Sequence, residues 1–251
     1  MRVITCLVFE HNLWLVALAA VVCVAGSWVS FDLFQRARER RGVQQYGWLY
    51  LTGVATGSLV WCTHFIAMLA YEASAPISYD PIVTMLSLVI AVPGCSAGFA
   101  VAAKAKFQGS AYVGGGLIGL SVAAMHYTGM MAYHIDGFVT WDPAHVVASV
   151  LAAIVLGALA VNRFVTSADR VSHFLALALF VGSVVSLHFT GMAAISVVPL
   201  AGETGTESVK AMQAMAVAVA GVALIIAVTA IMIRIDTKAS AEVLEICSVW
   251  R

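Results

Sequence analysis

The sequence predicts an all-α integral membrane protein, a bundle of seven transmembrane helices with its N-terminus outside and its C-terminus in the cytoplasm. Hydrophobic residues make up 62% of the 251 residues and charged residues only 10%, and the mean hydropathy is +0.96. Soluble domains carry about 25% charged residues, so this deficit indicates that lipid surrounds the chain. The thirteen basic and thirteen acidic residues leave no net charge that would attract nucleic acid.

Seven apolar runs are each long enough to cross a bilayer as a helix, which takes about 20 residues. We number them helices 1 to 7, and they cover residues 12–34, 47–71, 82–103, 112–133, 145–164, 172–196 and 212–234. Polar segments, or segments with proline and glycine, separate the runs. Because a backbone in lipid must satisfy its own hydrogen bonds, each run is predicted to be helical throughout.

The basic residues predict the orientation of the bundle. Eleven of the thirteen follow helices 1, 3, 5 and 7, and only Arg2 and Lys210 lie on the other side. The eleven are Arg36, Arg38, Arg40, Arg41, Lys104, Lys106, Arg163, Arg170, Arg234, Lys238 and Arg251. Basic residues concentrate on the cytoplasmic side of membrane spans. We therefore predict a membrane domain over residues 1–234 and a short cytoplasmic tail over 235–251, which could begin a signalling helix.

Helices 2, 4 and 6 share one element, a histidine followed four residues later by a methionine. The pairs are His64 with Met68, His126 with Met130, and His188 with Met192, and successive histidines are 62 residues apart. Gly53 and Gly57 recur at the same offset as Gly115 and Gly119, and both GxxxG pairs are predicted to let helices approach closely. A fixed period indicates duplication of one unit, here three tandem helix pairs followed by helix 7.

A repeat of two spans preserves orientation, so the three elements are expected at one depth. Each histidine lies about eight residues before its helix leaves the membrane, which places it about 12 Å below the outer surface. Because residues four apart share a helix face, each histidine and its methionine form one stripe. Imidazole binds copper, zinc, iron and nickel, and thioether favours Cu(I), while methionine also serves heme beside histidine.

Two interpretations of these stripes remain open. In one, they face a shared axis and bind copper, with heme or zinc as alternatives. In the other, the histidines hydrogen-bond between helices, the methionines fill the core, and duplication has copied both. Ionisable side chains inside spans are costly and usually functional, which favours a shared site.

Other polar side chains near the predicted outer surface are weaker candidates. His11 lies at the start of helix 1, at a plausible mouth of the site, although solvation at the membrane surface is the simpler expectation for it and for His134 and His145. Tyr127 has a hydroxyl that could donate a hydrogen bond to a residue of the site.

The residues Met125-His126-Tyr127-Thr128 spell the signature of the MHYT domain, and Thr63-His64-Phe65-Ile66 and Leu187-His188-Phe189-Thr190 resemble relaxed copies of it. The resemblance covers about residues 8–236. It implies a multi-pass sensor domain of the bacterial inner membrane that binds copper near the outer face and senses oxygen, carbon monoxide or nitric oxide. The ligands implied by motif position are His64, Met68, His126, Met130, His188 and Met192. Thr63 and Leu187 depart from the signature, and Met125 is expected to face away from His126.

Three classes of function follow for this chain. The first is a copper-dependent sensor of a diatomic gas or of redox state, which signals to a cytoplasmic domain or protein such as a cyclic-di-GMP enzyme. The second is a copper carrier or chaperone, and the third is a membrane oxidoreductase with heme or copper. No catalytic triad or phosphate-binding loop occurs in the sequence, so the chain itself is not expected to be an enzyme. It is expected to be either a free-standing sensor or a piece of a longer protein.

Overall fold

The computed structural model describes residues 10–72, 77–104, 107–167, 169–199 and 212–223, together with Val3, Thr5, Val8 and Lys210. Within these residues, six long helices and a shorter one follow one another along the chain. They are α1 (Leu13–Glu39), α2 (Gly42–Ala70), α3 (Pro81–Lys104), α4 (Ser110–Ala132), α5 (Pro143–Thr166), α6 (Arg170–Ala193) and α7 (Met212–Ala223). They match the seven predicted runs in order. The rest of the seventh run and the predicted tail, residues 224–251, lie outside the described residues.

Five of these helices, α1, α2, α3, α5 and α6, are long and apolar enough to cross a membrane. Helix α4 has 23 residues but contains five glycines besides His126 and Thr128, which lowers its hydropathy. A helical bundle that crosses the membrane several times is therefore the fold class. The number of seven spans and their orientation stay predictions.

The connection between α1 and α2 is tighter than predicted. Helix α1 continues to Glu39, so that Arg36 and Arg38 lie in its last turn, where their charge is favourable beside the free carbonyl groups. Helix α2 begins at Gly42, whose φ of 62° lets the chain reverse within two residues. Both helices continue beyond the predicted apolar runs, which end at 34 and begin again at 47, because long basic side chains can reach the polar headgroups from within a helix.

Short strands at the opposite end of the bundle were not predicted. Strand β1 (Ile77–Tyr79) pairs antiparallel with β2 (Tyr133–Ile135), and β3 (Gly137–Trp141) pairs with β4 (Ile195–Pro199). We call this the strand end, and the opposite end, where Arg36 to Arg41 lie, the basic end. Strands of three to five residues are too short to show a reliable alternation in the sequence.

The strand pairings shorten the helices that carry the histidines. The chain leaves α2, α4 and α6 after Ala70, Ala132 and Ala193. Each histidine therefore lies five or six residues before the end of its helix, about 8–9 Å at 1.5 Å per residue, and its depth of about 12 Å below the outer surface stays a prediction. The equal depth of the three histidines is retained.

The predicted duplication recurs in the hydrogen bonds at the strand end. In each repeat, the backbone N–H of the residue before the first helix donates to a carbonyl group at the end of the second helix. The bonds are Asn12 to Ala70 at 2.8 Å, Asp80 to Ala132 at 2.9 Å and Asp142 to Ala194 at 2.8 Å. The side chains of these three donors also accept from N–H groups in the first turn of their own helix, as N-cap residues do.

The glycine pairs bring helices into backbone contact, as predicted. A Cβ on Gly57 would lie 2.9 Å from Cα of Val92 in α3, and one on Gly119 would lie 2.2 Å from the carbonyl oxygen of Ala153 in α5. Close approach at these points holds α2 against α3 and α4 against α5. The histidine-bearing faces of α2, α4 and α6 are thereby turned toward one another inside the bundle.

Candidate metal centre

His64, His126 and His188 meet inside the bundle, one from each of α2, α4 and α6. They are 3%, 1% and 5% exposed. Nδ1 of His64 lies 3.1 Å from Nδ1 of His126 and 3.3 Å from Nδ1 of His188. One nitrogen from each ring falls within 4.8 Å of the others. The three histidine faces therefore converge.

The geometry of the three rings fits a metal ion. Imidazole nitrogens bind zinc at about 2.0–2.1 Å, so two of them on one ion are about 3.3–3.6 Å apart, close to the distances from His64. A neutral imidazole nitrogen carries either one proton or one lone pair, so Nδ1 of His64 can form only one full hydrogen bond although it has two neighbours. An ion that takes the lone pairs of all three nitrogens would satisfy them together.

The second nitrogen of each ring has an unusual surrounding. Nε2 of His64 would lie 2.7 Å from a Cβ on Gly129, and Nε2 of His126 would lie 2.6 Å from a Cβ on Gly191. All three Nε2 atoms are buried without a hydrogen-bond partner among the described residues. A histidine that binds a metal normally donates its second N–H to an oxygen, whereas packing on glycine orients the rings of His64 and His126 in this bundle.

The three predicted methionines are buried in the same core. Met68, Met130 and Met192 are 1%, 4% and 4% exposed, and each lies one helical turn beyond its histidine toward the strand end. Burial agrees with both a ligand role and a packing role, so their binding of a metal stays a prediction.

Met125 does not face away from the site, contrary to the expectation. It is 1% exposed and lines a cavity of about 190 Å³ together with the three histidines. The residue directly before a histidine was expected on another face of its helix. Four helices, α1, α2, α4 and α6, meet at this level, so Met125 borders the same cavity as the histidines.

The aromatic residue that follows each histidine packs against a second aromatic ring. In every case this second ring belongs to the residue that precedes the N-cap of a helix in another repeat. The pairs are Phe65 with Tyr79 at 6.3 Å, Tyr127 with Trp141 at 5.9 Å and Phe189 with His11 at 5.4 Å between ring centroids. This layer separates the histidines from the strand end. Burial raises the pKa of Tyr79, so its phenol stays protonated.

His11 belongs to this layer and is not solvated, contrary to the expectation. It is 4% exposed, forms a β-bridge with Tyr71, and its ring centroid lies 6.2 Å from that of His188. A signal in the sequence could have found it, because it precedes the N-cap Asn12 as Tyr79 precedes Asp80.

The remaining candidates place no polar atom beside the nitrogens of the three histidines. The hydroxyl of Tyr127 does not reach the site but is 2.6 Å from Oγ of Ser149 in α5, although its ring contacts the ring of His126. His134 is exposed on β2, as expected. His145 is partly buried and bonds to the carboxylate of Asp142.

Comparison with known proteins agrees with the sequence motifs. The MHYT family model, described as a bacterial signalling protein N-terminal repeat, matches residues 57–115 and 119–177. A signalling protein of Caulobacter vibrioides is 40% identical over 81% of this chain and 25% of its own length. Two proteins of Pseudomonas aeruginosa are also similar. The cyclic di-GMP phosphodiesterase NbdA is 35% identical over 72% of this chain and 24% of its own length. The bifunctional diguanylate cyclase/cyclic di-GMP phosphodiesterase MucR is 31% identical over 75% and 28%.

This chain therefore spans about a quarter of the length of the curated relatives that it matches. No solved structure matches it.

Proposed function

This chain belongs to the MHYT family of bacterial signalling proteins, and we propose that it is a membrane sensor domain that binds copper through His64, His126 and His188. The observation that carries the proposal is the convergence of three buried imidazole nitrogens, two pairs of them at 3.1 and 3.3 Å. Burying three polar rings in contact is costly unless their nitrogens are satisfied. A bound ion would satisfy them at one point.

Copper is favoured over the other metals by the residues around the histidines. Three imidazoles suit copper, zinc, iron or nickel, and thioethers from Met68, Met130 and Met192 would add soft ligands that favour Cu(I). Zinc gains little from methionine. Heme is disfavoured because a porphyrin needs a flat slot beside its axial ligand, and the three imidazole rings already contact one another. Bound copper would supply a redox-active centre that can take oxygen, carbon monoxide or nitric oxide.

A sensor explains the burial of the site better than a carrier does. A carrier or chaperone must exchange its metal with a partner, whereas each histidine of this cluster is at most 5% exposed and lies behind aromatic side chains. For a sensor, burial is no obstacle, since the signal has only to bind two states of the domain with different affinity.

The route of the signal follows from the predicted orientation. The domain would lie in the bacterial inner membrane with the strand end outside, and the chain after α7 would lead into the cytoplasm. NbdA and MucR carry the names of cyclic-di-GMP enzymes. We infer that this domain is not itself catalytic and that it controls a cytoplasmic effector of that kind.

The metal content of purified variants tests the proposal. Copper, zinc and iron are measured by mass spectrometry in the wild type, in His126→Ala and in His134→Ala, whose exposed histidine lies outside the cluster. We expect copper in the wild type and in His134→Ala. In His126→Ala we expect the copper content to fall about tenfold or more, since even the loss of a residue that only orients a metal ligand has an effect of this size. Equal metal content in all three proteins would mean that the clustered histidines have only a structural role.

A further inference from the structure

We propose that the cavity beside the three histidines is a binding chamber for small apolar molecules, which enter it from the bilayer between α1 and α6. Only a role of this chamber in sensing rests on the proposed function. The shape of the chamber and its binding of apolar molecules do not require a metal. It has a volume of about 190 Å³.

The chamber lies mainly on the basic-end side of the histidines, opposite the methionines. Its lining includes three valines at equivalent positions of the three repeats, one helical turn before each histidine, namely Val60, Val122 and Val184. Thr63, Met125 and Leu187, directly before the histidines, also line it. The three histidine rings thus form one wall of an otherwise largely apolar space.

The chamber lies where one of the three repeats differs from the others. The ring of His64 packs on Gly129 and the ring of His126 packs on Gly191, which fills two of the contacts between motif helices. At the equivalent position of the first repeat, α2 carries Ala67, and both Ala67 and His188 line the chamber. Helix α1 lines this side with Val16 and with the small side chains of Ala19, Ala20 and Cys23. They leave the space unfilled.

The lining selects an uncharged, apolar occupant. A water molecule needs two to four polar partners, and an engineered apolar cavity of about 150 Å³ stays dry and binds benzene or xenon. Among the lining residues, Thr63 and the histidines are the main polar side chains. The class of molecule that fits is therefore a diatomic gas, a noble gas or a small hydrocarbon.

The entrance faces lipid. Val185 of α6 lines the chamber and is 38% exposed, and Ala20 of α1 also lines it and is exposed at the surface of the bundle. In a bundle surrounded by lipid, these two side chains border the hydrocarbon core. Apolar molecules partition into that phase from water, so the bilayer supplies the chamber directly.

Xenon is the probe for the chamber. The full chain as purified is reconstituted in lipid nanodiscs, and bound xenon is detected by ¹²⁹Xe saturation-transfer NMR, with metal content measured on the same sample. We expect a bound-xenon signal in the wild type. Ala19→Phe fills the chamber and should weaken xenon affinity about tenfold or more. The matched control is Leu18→Phe on the same helix, where the side chain is 49% exposed and does not line the chamber.

Two further variants keep the test independent of folding. Val60→Ala enlarges the chamber and should retain or increase the binding of xenon. Val185→Trp should slow xenon exchange while leaving the affinity similar, and Leu175→Trp on the same helix, at a side chain that is 45% exposed, should leave the rate unchanged. No bound xenon in the wild type, or equal binding in Ala19→Phe, would overturn the chamber. Either result would leave the metal proposal standing, because that proposal depends on the metal content alone.

Discussion

At the scale of single residues, two glycines fix how the histidine rings lie. Gly129 and Gly191 have no side chain, so the rings of His64 and His126 rest directly on the backbone of the next motif helix. With Nε2 held there, Nδ1 of each ring turns toward the centre. A hydrogen bond to the second nitrogen usually orients a metal-binding histidine, and in this protein the absence of a Cβ takes that role.

Gly191→Ala should therefore disturb the site. The new Cβ would lie 2.6 Å from Nε2 of His126 and 3.3 Å from the hydroxyl oxygen of Tyr127, so the ring must move. Overpacking of this kind costs about 1–3 kcal/mol. We expect a lower temperature of thermal unfolding in detergent and a lower metal content. Gly182→Ala is the control on the same helix, since its Cβ would meet Leu156 only at 4.0 Å. If both variants have the same unfolding temperature and metal content, the position of the His126 ring does not depend on Gly191.

The histidines and their common depth were predictable from the sequence, but their contacts were not. The spacing of 62 residues identifies His64, His126 and His188 as equivalent and places them on parallel helices. Which way each helix is rotated depends on its packing against all its neighbours. The burial of His11 was missed because it depends on a β-bridge to Tyr71, a contact between distant segments, although its place before the N-cap Asn12 matches that of Tyr79 before Asp80.

At the scale of elements, backbone contact between helices sets the frame for the site. The GxxxG pairs predicted this contact, and the structure adds the partner, because Gly115 and Gly119 of α4 face Gly157 and Ala153 of α5. The short strands could not be predicted in this way. They form between segments that are far apart in the chain, as in the pairing of β1 with β2, and a pattern of three residues carries too little signal.

Gly119→Ala should push α4 away from α5. Its Cβ would lie 2.2 Å from the carbonyl oxygen of Ala153 and 2.9 Å from Cα of Ile154, and neither backbone atom can move alone. We expect a loss of about 1–3 kcal/mol in the free energy of unfolding, measured by denaturant titration in mixed micelles.

Gly116→Ala on the same helix is the control for this contact. Its Cβ would be 3.6 Å from a methyl carbon of Ile154, an ordinary contact. The better helix propensity of alanine should then leave the variant as stable as the wild type or more stable by up to about 1 kcal/mol. An unchanged free energy of unfolding in Gly119→Ala would contradict the contact between α4 and α5.

At the scale of the whole molecule, the three repeats form a nearly regular arrangement that is irregular at one place. Repeat-equivalent hydrogen bonds, from Asn12, Asp80 and Asp142, join the two helices of every pair at the strand end. Regularity ends where Ala67 replaces the glycine of the other motifs, and the chamber lies there. The candidate site is thus built from a repeated element, while the chamber beside it lies where the repeats differ.

The orientation of the molecule in the membrane is predicted from its charge. Basic residues such as Arg36 and Arg40 lie at the basic end, which the positive-inside rule places in the cytoplasm. We therefore expect a cysteine in place of His134, exposed on β2 at the strand end, to react with a membrane-impermeant maleimide on intact spheroplasts. A cysteine in place of Gln44, exposed in the first turn of α2, should react only after the membrane is permeabilised.

The labelling requires a background without reactive native thiols. Cys23, Cys62 and Cys95 are buried and should stay unlabelled, whereas Cys6 and Cys247 are replaced by serine. Labelling of Gln44→Cys but not of His134→Cys on intact spheroplasts would show that the bundle has the opposite orientation in the membrane. The three histidines would then lie near the cytoplasmic face, and a signal from outside would have to cross most of the bilayer to reach them. The predicted pattern instead leaves most of the length of the helices between the three histidines and the cytoplasm, so that a change at the histidines would have to travel along them to reach a cytoplasmic effector.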